Sequence, residues 1–202
     1  MIFYAITDKK LNKTGSLFAQ IKKYVSLGVD WIQIREKGLS DKELLAVANK
    51  ANKYAKKNNI KLLINNRSDI AYLSNLYGIH LSSDSIPVKQ IRKKFNNLFI
   101  IKSCHSLKDV NKAEEEGADA VVLSPIFETP SKRDFLKPLG LSILKKVVNS
   151  SKIPVIALGG IDQKNIFEVA GCNVYGVSAI RFFNSIHQKE FKSIKKILKE
   201  GN

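Results

Sequence analysis

The sequence predicts an α/β fold, a single-domain (βα)8 TIM barrel, on three observations. Short apolar runs alternate with longer amphipathic stretches along the whole chain, and eight such pairs can be counted. Polar and cationic residues follow nearly every apolar run, as they do where a parallel barrel gathers its functional groups at the carboxyl ends of its strands. The 202 residues match the roughly 200 that the smallest complete barrels need, and no linker-like stretch divides them, so 1–202 reads as one domain. An open doubly wound sheet is the alternative, since eight strands can alternate with helices without closing on themselves.

In order, the apolar runs are IFYAI (2–6), WIQI (31–34), LLI (62–64), GIHL (78–81), LFIIKS (98–103), AVVLS (120–124), PVIAL (154–158) and VYGVSA (174–179). Each is short and bounded by charged or turn-forming residues, the pattern of a strand. Helical spacing of apolar residues is found over 16–27, 40–57, 68–75, 87–95, 106–116, 140–149, 163–170 and 188–200. In the fifth of these Ser106 stands where an N-cap belongs, followed by Leu107, Val110, Asn111 and Glu114 at helical intervals. The connection at 125–139, PIFETPSKRDFLKPL, exceeds the roughly 2–6 residues usual after a barrel strand and reads as a lid.

At 44% hydrophobic and 26% charged the chain can bury a core. No apolar stretch approaches the roughly 20 residues of a membrane helix, and MIFYAI lacks the basic start of a signal peptide. Cys104 and Cys172 make no disulfide framework, so free thiols and a cytoplasmic protein are expected. The net charge of +16 attracts either anionic ligands or nucleic acid. Most lysines lie in stretches such as KANKYAKKNN (50–59) and KEFKSIKKILKE (189–200), the solvated ring of outer helices. No RNA-binding motif accompanies them, so neither a specific nucleic acid nor a membrane is an expected partner.

The strand ends assemble a site. Thr7-Asp8 follow the first run, Gln33 and then Arg35-Glu36-Lys37 close the second, and Asn65-Asn66-Arg67 the third. His80 and Ser82-Ser83-Asp84 end the fourth, Lys102-Ser103-Cys104-His105 the fifth, and the sixth leads to Thr129, Ser131 and Lys132. Arg35, Lys37, Lys132 and Arg181 would face a ligand of negative charge. Gly159-Gly160 after the seventh strand offer unshielded N–H groups, and 180–184 after the eighth can open a short helix. Together they make a phosphate site where such barrels carry one. A tight turn is the simpler alternative for the glycine pair. His187 reads as surface, His80 as a core histidine with its bonds satisfied, and His105 as divided between capping and function. A zinc site lacks its ligand spacing, Cys104 lacks a base, and Ser103 reads as a hydrogen-bonding group at the mouth.

YAITD (4–8), QIREK (33–37), LLINNR (62–67), HLSSD (80–84), SCHSLKDVNKAEEEGAD (103–119), SPIFETPSK (124–132), PLGL (138–141) and PVIALGGI (154–161) follow one another in a known order. The chain resembles the thiamine phosphate synthase and thiazole tautomerase superfamily over nearly its whole length. The resemblance implies a transferase of thiamine biosynthesis that couples a pyrimidine-methyl pyrophosphate to a thiazole phosphate and releases pyrophosphate. By that resemblance Gln33, Arg35, Lys37, Asn65, Ser103 and Lys132 hold the pyrimidine pyrophosphate, with Arg35, Lys37, Ser103 and Lys132 as its catalytic groups. Thr129, Ser131, Gly160, Ile180 and Arg181 hold the thiazole phosphate. Small phosphorylated substrates, Mg²⁺ and assembly as a homodimer are the implied partners.

Three departures stand out against that resemblance. Synthases place an acid at the position of Asn66 and a second metal ligand at the position of Ser85, leaving Asp84, one residue early, as the candidate ligand. The tautomerase branch lacks both acids, but it relies on a histidine where this chain has Pro125. Arg181 stands where a serine is usual, beside an insertion near Val174-Tyr175. A synthase is therefore the expected activity, with a tautomerase-like paralogue acting on a thiazole carboxylate phosphate as the second reading. A noncatalytic phosphate-ligand sensor is the third.

Overall fold

In the computed structural model, which describes residues 1–12, 15–129 and 137–200, Tyr4 stands opposite Trp31 on one side and Ser178 on the other. β1 (Ile2–Ile6) is thus bonded to both β2 (Trp31–Ile34) and β8 (Gly176–Ala179). This double pairing closes the sheet and removes the open-sheet alternative. Between them follow β3 (Lys61–Asn65), β4 (Gly78–Leu81), β5 (Phe99–Cys104), β6 (Ala120–Leu123) and β7 (Val155–Leu158), every neighbour parallel. The helices are α1 (Leu17–Leu27), α2 (Asp41–Lys57), α3 (Ser68–Leu73), α4 (Val88–Lys94), α5 (Leu107–Glu115), α6 (Gly140–Ser150), α7 (Ile166–Ala170), α8 (Arg181–Ser185) and α9 (Gln188–Glu200). A 3-10 turn, Lys9–Leu11, follows β1. Among the described residues no helix is long and apolar enough to cross a membrane.

Alternation along the strands sorts two cores. Ile32, Ile34, Leu62, Ile64 and Ile79 join the layer that packs against the helices through Ile21, Tyr24, Ala48 and Leu144. Tyr4, Trp31, Leu63, Ile101, Ala120, Val122 and Ile156 fill the barrel interior. Ends of several helices differ from their predicted spans for local reasons. α7 begins only at Ile166 because Asp162 and Asn165 tie a turn first: Asp162 N–H donates to Asn165 Oδ1 (3.0 Å) and Lys164 N–H to Asp162 Oδ1 (2.8 Å). α5 buries Val110 and Ala113 while Asn111 is exposed, so its inward face is one residue narrower than the spacing suggested.

α2 has the clearest start signal. Glu43 N–H donates to Ser40 Oγ (3.4 Å), and the Glu43 carboxylate accepts the Ser40 N–H (2.8 Å), a reciprocal cap. Ser40→Ala is expected to lower stability by about 1 kcal/mol in urea denaturation with an unchanged m value. An unchanged midpoint would show that the cap is redundant.

Candidate active site

Inward residues change character from the amino to the carboxyl ends of the strands. Trp31, packed on the rings of Tyr4 and Phe99 at 5.8 and 5.4 Å, plugs the lower barrel. Two residues further along their strands Trp31 gives way to Gln33, Leu63 to Asn65 and Ile101 to Ser103. These polar side chains meet around His80 of β4, which is 3% exposed. His80 Nδ1 lies 3.1 Å from Gln33 Oε1 and 3.3 Å from the Tyr4 hydroxyl, and Nε2 lies 2.9 Å from Ser103 Oγ. Gln33 Nε2 in turn donates to Asn65 Oδ1 (3.2 Å). Since Gln33 Oε1 can only accept, Nδ1 carries the proton and Nε2 accepts from the Ser103 hydroxyl. Burial, reinforced by the charges of Arg35 and Lys102, holds the imidazole pKa down to about 3, so the ring is neutral.

Above this layer the exit of β2 is clamped. The fully buried Thr7 accepts the Arg35 N–H (2.9 Å) and donates its hydroxyl proton to Glu36 Oε1 (2.8 Å). Burial raises the Glu36 pKa. The clamp turns Arg35 and Lys37 toward the mouth, where neither forms an ion pair with a described carboxylate, and the same holds for Arg181. Uncommitted cations around a concave mouth make an anion site.

Across the mouth Gly159 and Gly160 take φ of 104° and 67°. A Cβ on Gly159 would fall 2.7 Å from Pro125 Cα, and one on Gly160 would fall 2.5 Å from Glu128 O. The pair is therefore required by the chain of 125–128, which lies along the end of β7 through Ile126 N–H to Leu158 O and Phe127 N–H to Gly159 O, both 3.0 Å. This packing bears out the tight-turn reading of the pair, and both glycines also line the cavity. Gly160, Ile180 and Arg181 line the same cavity of about 880 Å³ as Gln33, Arg35 and Asn65. Thr129 lines it too, whereas Ser131 and Lys132 lie outside the described residues.

The remaining candidates fall into place around it. His105 is held at both ends, its N–H donating to Asp109 Oδ2 (2.9 Å) and its Nδ1 bonded to Ser124 O, while the ring borders the cavity. Cys104 is buried and its thiol is pushed up to about 12, which removes it as a nucleophile. His187 is exposed. Asp84 lines the cavity, but Asn66 and Ser85 are neutral and bonded to neighbouring groups. Among the described residues no three His, Cys, Asp or Glu side chains gather as a metal cluster. Of Asn66, Asp84 and Ser85 only Asp84 carries a carboxylate, a poor donor set for an Mg²⁺ held by the protein without substrate phosphates.

A profile of the family described as thiamine monophosphate synthase matches residues 3–183. The chain belongs to the thiamine monophosphate synthase family. It is 34% identical over 178 residues to the thiamine-phosphate synthase of Clostridium novyi, covering 88% of this chain and 87% of that one. It is 36% identical over 167 residues to that of Halalkalibacterium halodurans, covering 82% and 79%. The solved thiamine phosphate pyrophosphorylase from Pyrococcus furiosus superposes with a TM-score of 0.90 at 27% identity, covering 98% of this chain and 96% of that one. For a thiamine monophosphate synthase family member, the residues that strand-end reasoning brought to the mouth are Gln33, Arg35, Lys37, Asn65, Ser103, Gly160, Ile180 and Arg181. It passed over Tyr4, and it named Thr7 and Glu36 without the bond that joins them. Tyr4 was within reach, because the alternation from Ile2 through Tyr4 to Ile6 places it on the inward face.

Proposed function

We propose that this cavity couples a pyrimidine-methyl pyrophosphate to a thiazole phosphate, giving thiamine phosphate and pyrophosphate. One observation carries the reading. Two cationic ends, Arg35 with Lys37 and Gly160 with Arg181, share one cavity across an uncharged layer built on His80. A pyrophosphate suits the first end, a phosphate the second, and a flat aromatic the neutral layer between them. As the bond from the methylene carbon to pyrophosphate breaks, negative charge grows on the leaving oxygens and positive charge on the pyrimidine-methyl group. Arg35 and Lys37 stabilise the first without reorganising. The neutral His80, holding Gln33 and Ser103 directly and Asn65 through Gln33, positions the ring without placing a like charge beside the developing cation. The thiazole nitrogen, fixed by its phosphate, attacks the methylene carbon, so proximity supplies much of the rate. In this reading Lys132 adds a contact to the pyrophosphate, and Thr129 and Ser131 add contacts to the thiazole phosphate.

The direct test is incubation with both substrates, with and without Mg²⁺, and mass-spectrometric detection of thiamine phosphate. Absence of product under both conditions would overturn the assignment. A crystal soaked in thiazole phosphate is expected to show its phosphate against the Gly160 and Ile180–Arg181 backbone. The anion bound elsewhere would remove that half of the proposal. The tautomerase-like alternative gains no support from the geometry, since Pro125 packs on Gly159 where that branch relies on a histidine.

A further inference from the structure

At the lip of the barrel between the ends of β3, β4 and β5, the groups able to hold a cation are already bonded to one another. Asn66 Oδ1 accepts the Ser82 N–H (2.8 Å), and Asn66 Nδ2 donates to Ser82 Oγ (2.8 Å). Asn66 achieves this from a left-handed backbone, φ 58°, which asparagine tolerates better than most residues. From β5 the half-buried Lys102 runs beneath the same loop. Its Nζ donates to Ser82 O (2.8 Å) and to Ser85 Oγ (3.0 Å), and Ser85 Oγ donates onward to Ile86 O (3.3 Å). Lys102 forms no ion pair with a described carboxylate. Asp84 is the one acid of the loop and is exposed.

Mg²⁺ demands near-octahedral oxygen coordination and draws most of its protein affinity from carboxylates. Here the Asn66 oxygen is neutral and engaged, and Ser85 Oγ sits against an ammonium. A divalent ion on Ser85 would lie beside that ammonium where water screens their repulsion poorly. The disagreement with a metal site is thus specific: a fixed positive charge stands beneath the loop that would carry a metal ligand, bonded to Ser82 O and Ser85 Oγ.

We propose that Lys102 takes the place of a divalent ion held by the protein. Its ammonium, locked by Ser82 and Ser85, shapes the 82–85 loop and keeps the lip electropositive, so a pyrophosphate ester binds without metal ligands on the chain. Ser82, Ser83 and Asp84 line the cavity and Lys102 does not, so Lys102 is a positioning residue that acts through the loop. The nature of the anion rests on the synthase reading above.

Calorimetry of the whole protein with inorganic pyrophosphate, once in EDTA and once in millimolar Mg²⁺, tests this. Binding is expected in EDTA, with an affinity that Mg²⁺ does not improve. Lys102→Met is expected to weaken binding in EDTA by about tenfold, equivalent to ~1.4 kcal/mol, and Lys102→Arg to retain most of it. Circular-dichroism melting checks that each variant folds. Asn66→Asp/Ser85→Asp/Lys102→Met is expected to recover affinity only when Mg²⁺ is added, a rescue that a merely structural lysine would not produce. Parent binding abolished by EDTA and restored by Mg²⁺ overturns the proposal, whether or not Lys102→Met folds. A folded Lys102→Met that binds pyrophosphate as the parent does also overturns it. Metal-free pyrophosphate binding without thiamine phosphate formation would refute the reaction and leave the role of Lys102 standing. Product formed only with Mg²⁺ would do the reverse.

Discussion

Replacing Arg35 by methionine is expected to lower the rate of thiamine phosphate formation by about 10²–10³-fold, the usual cost of removing one preorganised group aimed at developing charge. The guanidinium has no ion-pair partner among the described residues, so its removal leaves no buried carboxylate orphaned. Methionine keeps much of the apolar stem, and the Thr7 bond to the Arg35 N–H belongs to the backbone and survives the change. The loss should therefore fall on the chemical step, with the melting temperature nearly unchanged and the KM for thiazole phosphate unaffected, because that anion is proposed to bind across the mouth. Arg35→Lys should recover only part of the rate, since an ammonium cannot present the two parallel N–H groups of a guanidinium to a phosphate. Steady-state assay of released pyrophosphate decides the matter. An Arg35→Met protein as fast as its parent would take Arg35 out of the mechanism.

Strand content was legible because each run was short, apolar and closed by polar residues. Closure was expected from the count of eight units, and the pairing of Tyr4 with Ser178 across the whole length of the chain supplies it. The same rule that polar residues cluster at strand ends brought Gln33, Arg35, Asn65, Ser103 and Gly160 to one mouth. It could not say which partners hold them. His80 looked like a satisfied core histidine, and it is satisfied, but its partners are the very groups expected to hold a substrate. That depends on register: Gln33 pairs with Leu63 and His80 with Ile101, so His80 meets Gln33 and Ser103 on the diagonal rather than across from its paired residues. Lys102 was legible only as a strand-end cation. Its outward direction, and hence its place beneath the loop rather than in the cavity, follows from its neighbour Ser103 pointing inward. The glycine pair shows a further limit, since the contact that forbids a side chain there comes from residues 125–128, more than thirty positions away in sequence.

His80 also sets how stability responds to acid. In the unfolded chain a histidine titrates near 6.5, whereas in the fold burial holds this one down to about 3. Below pH 6.5 the unfolded chain thus binds a proton that the folded protein refuses. The associated stability is fully present above about pH 6.5 and is lost as the pH falls toward 3, reaching roughly 5 kcal/mol at the acid end. Between pH 7.5 and 4.5 the parent is expected to lose about 2–3 kcal/mol through this group alone. His80→Gln cannot take up that proton. It should be less stable than the parent at pH 7.5 by about 1–3 kcal/mol, because Tyr4 and Ser103 lose a partner in a buried layer. Its stability should then fall less steeply with acid, so the two curves converge near pH 4.5. Urea denaturation across that range measures both, and contributions from groups common to the two proteins cancel in the difference. Parallel curves would mean that His80 accepts a proton in the folded protein as readily as in the unfolded chain, and the uncharged layer on which the pyrimidine is proposed to lie would not exist.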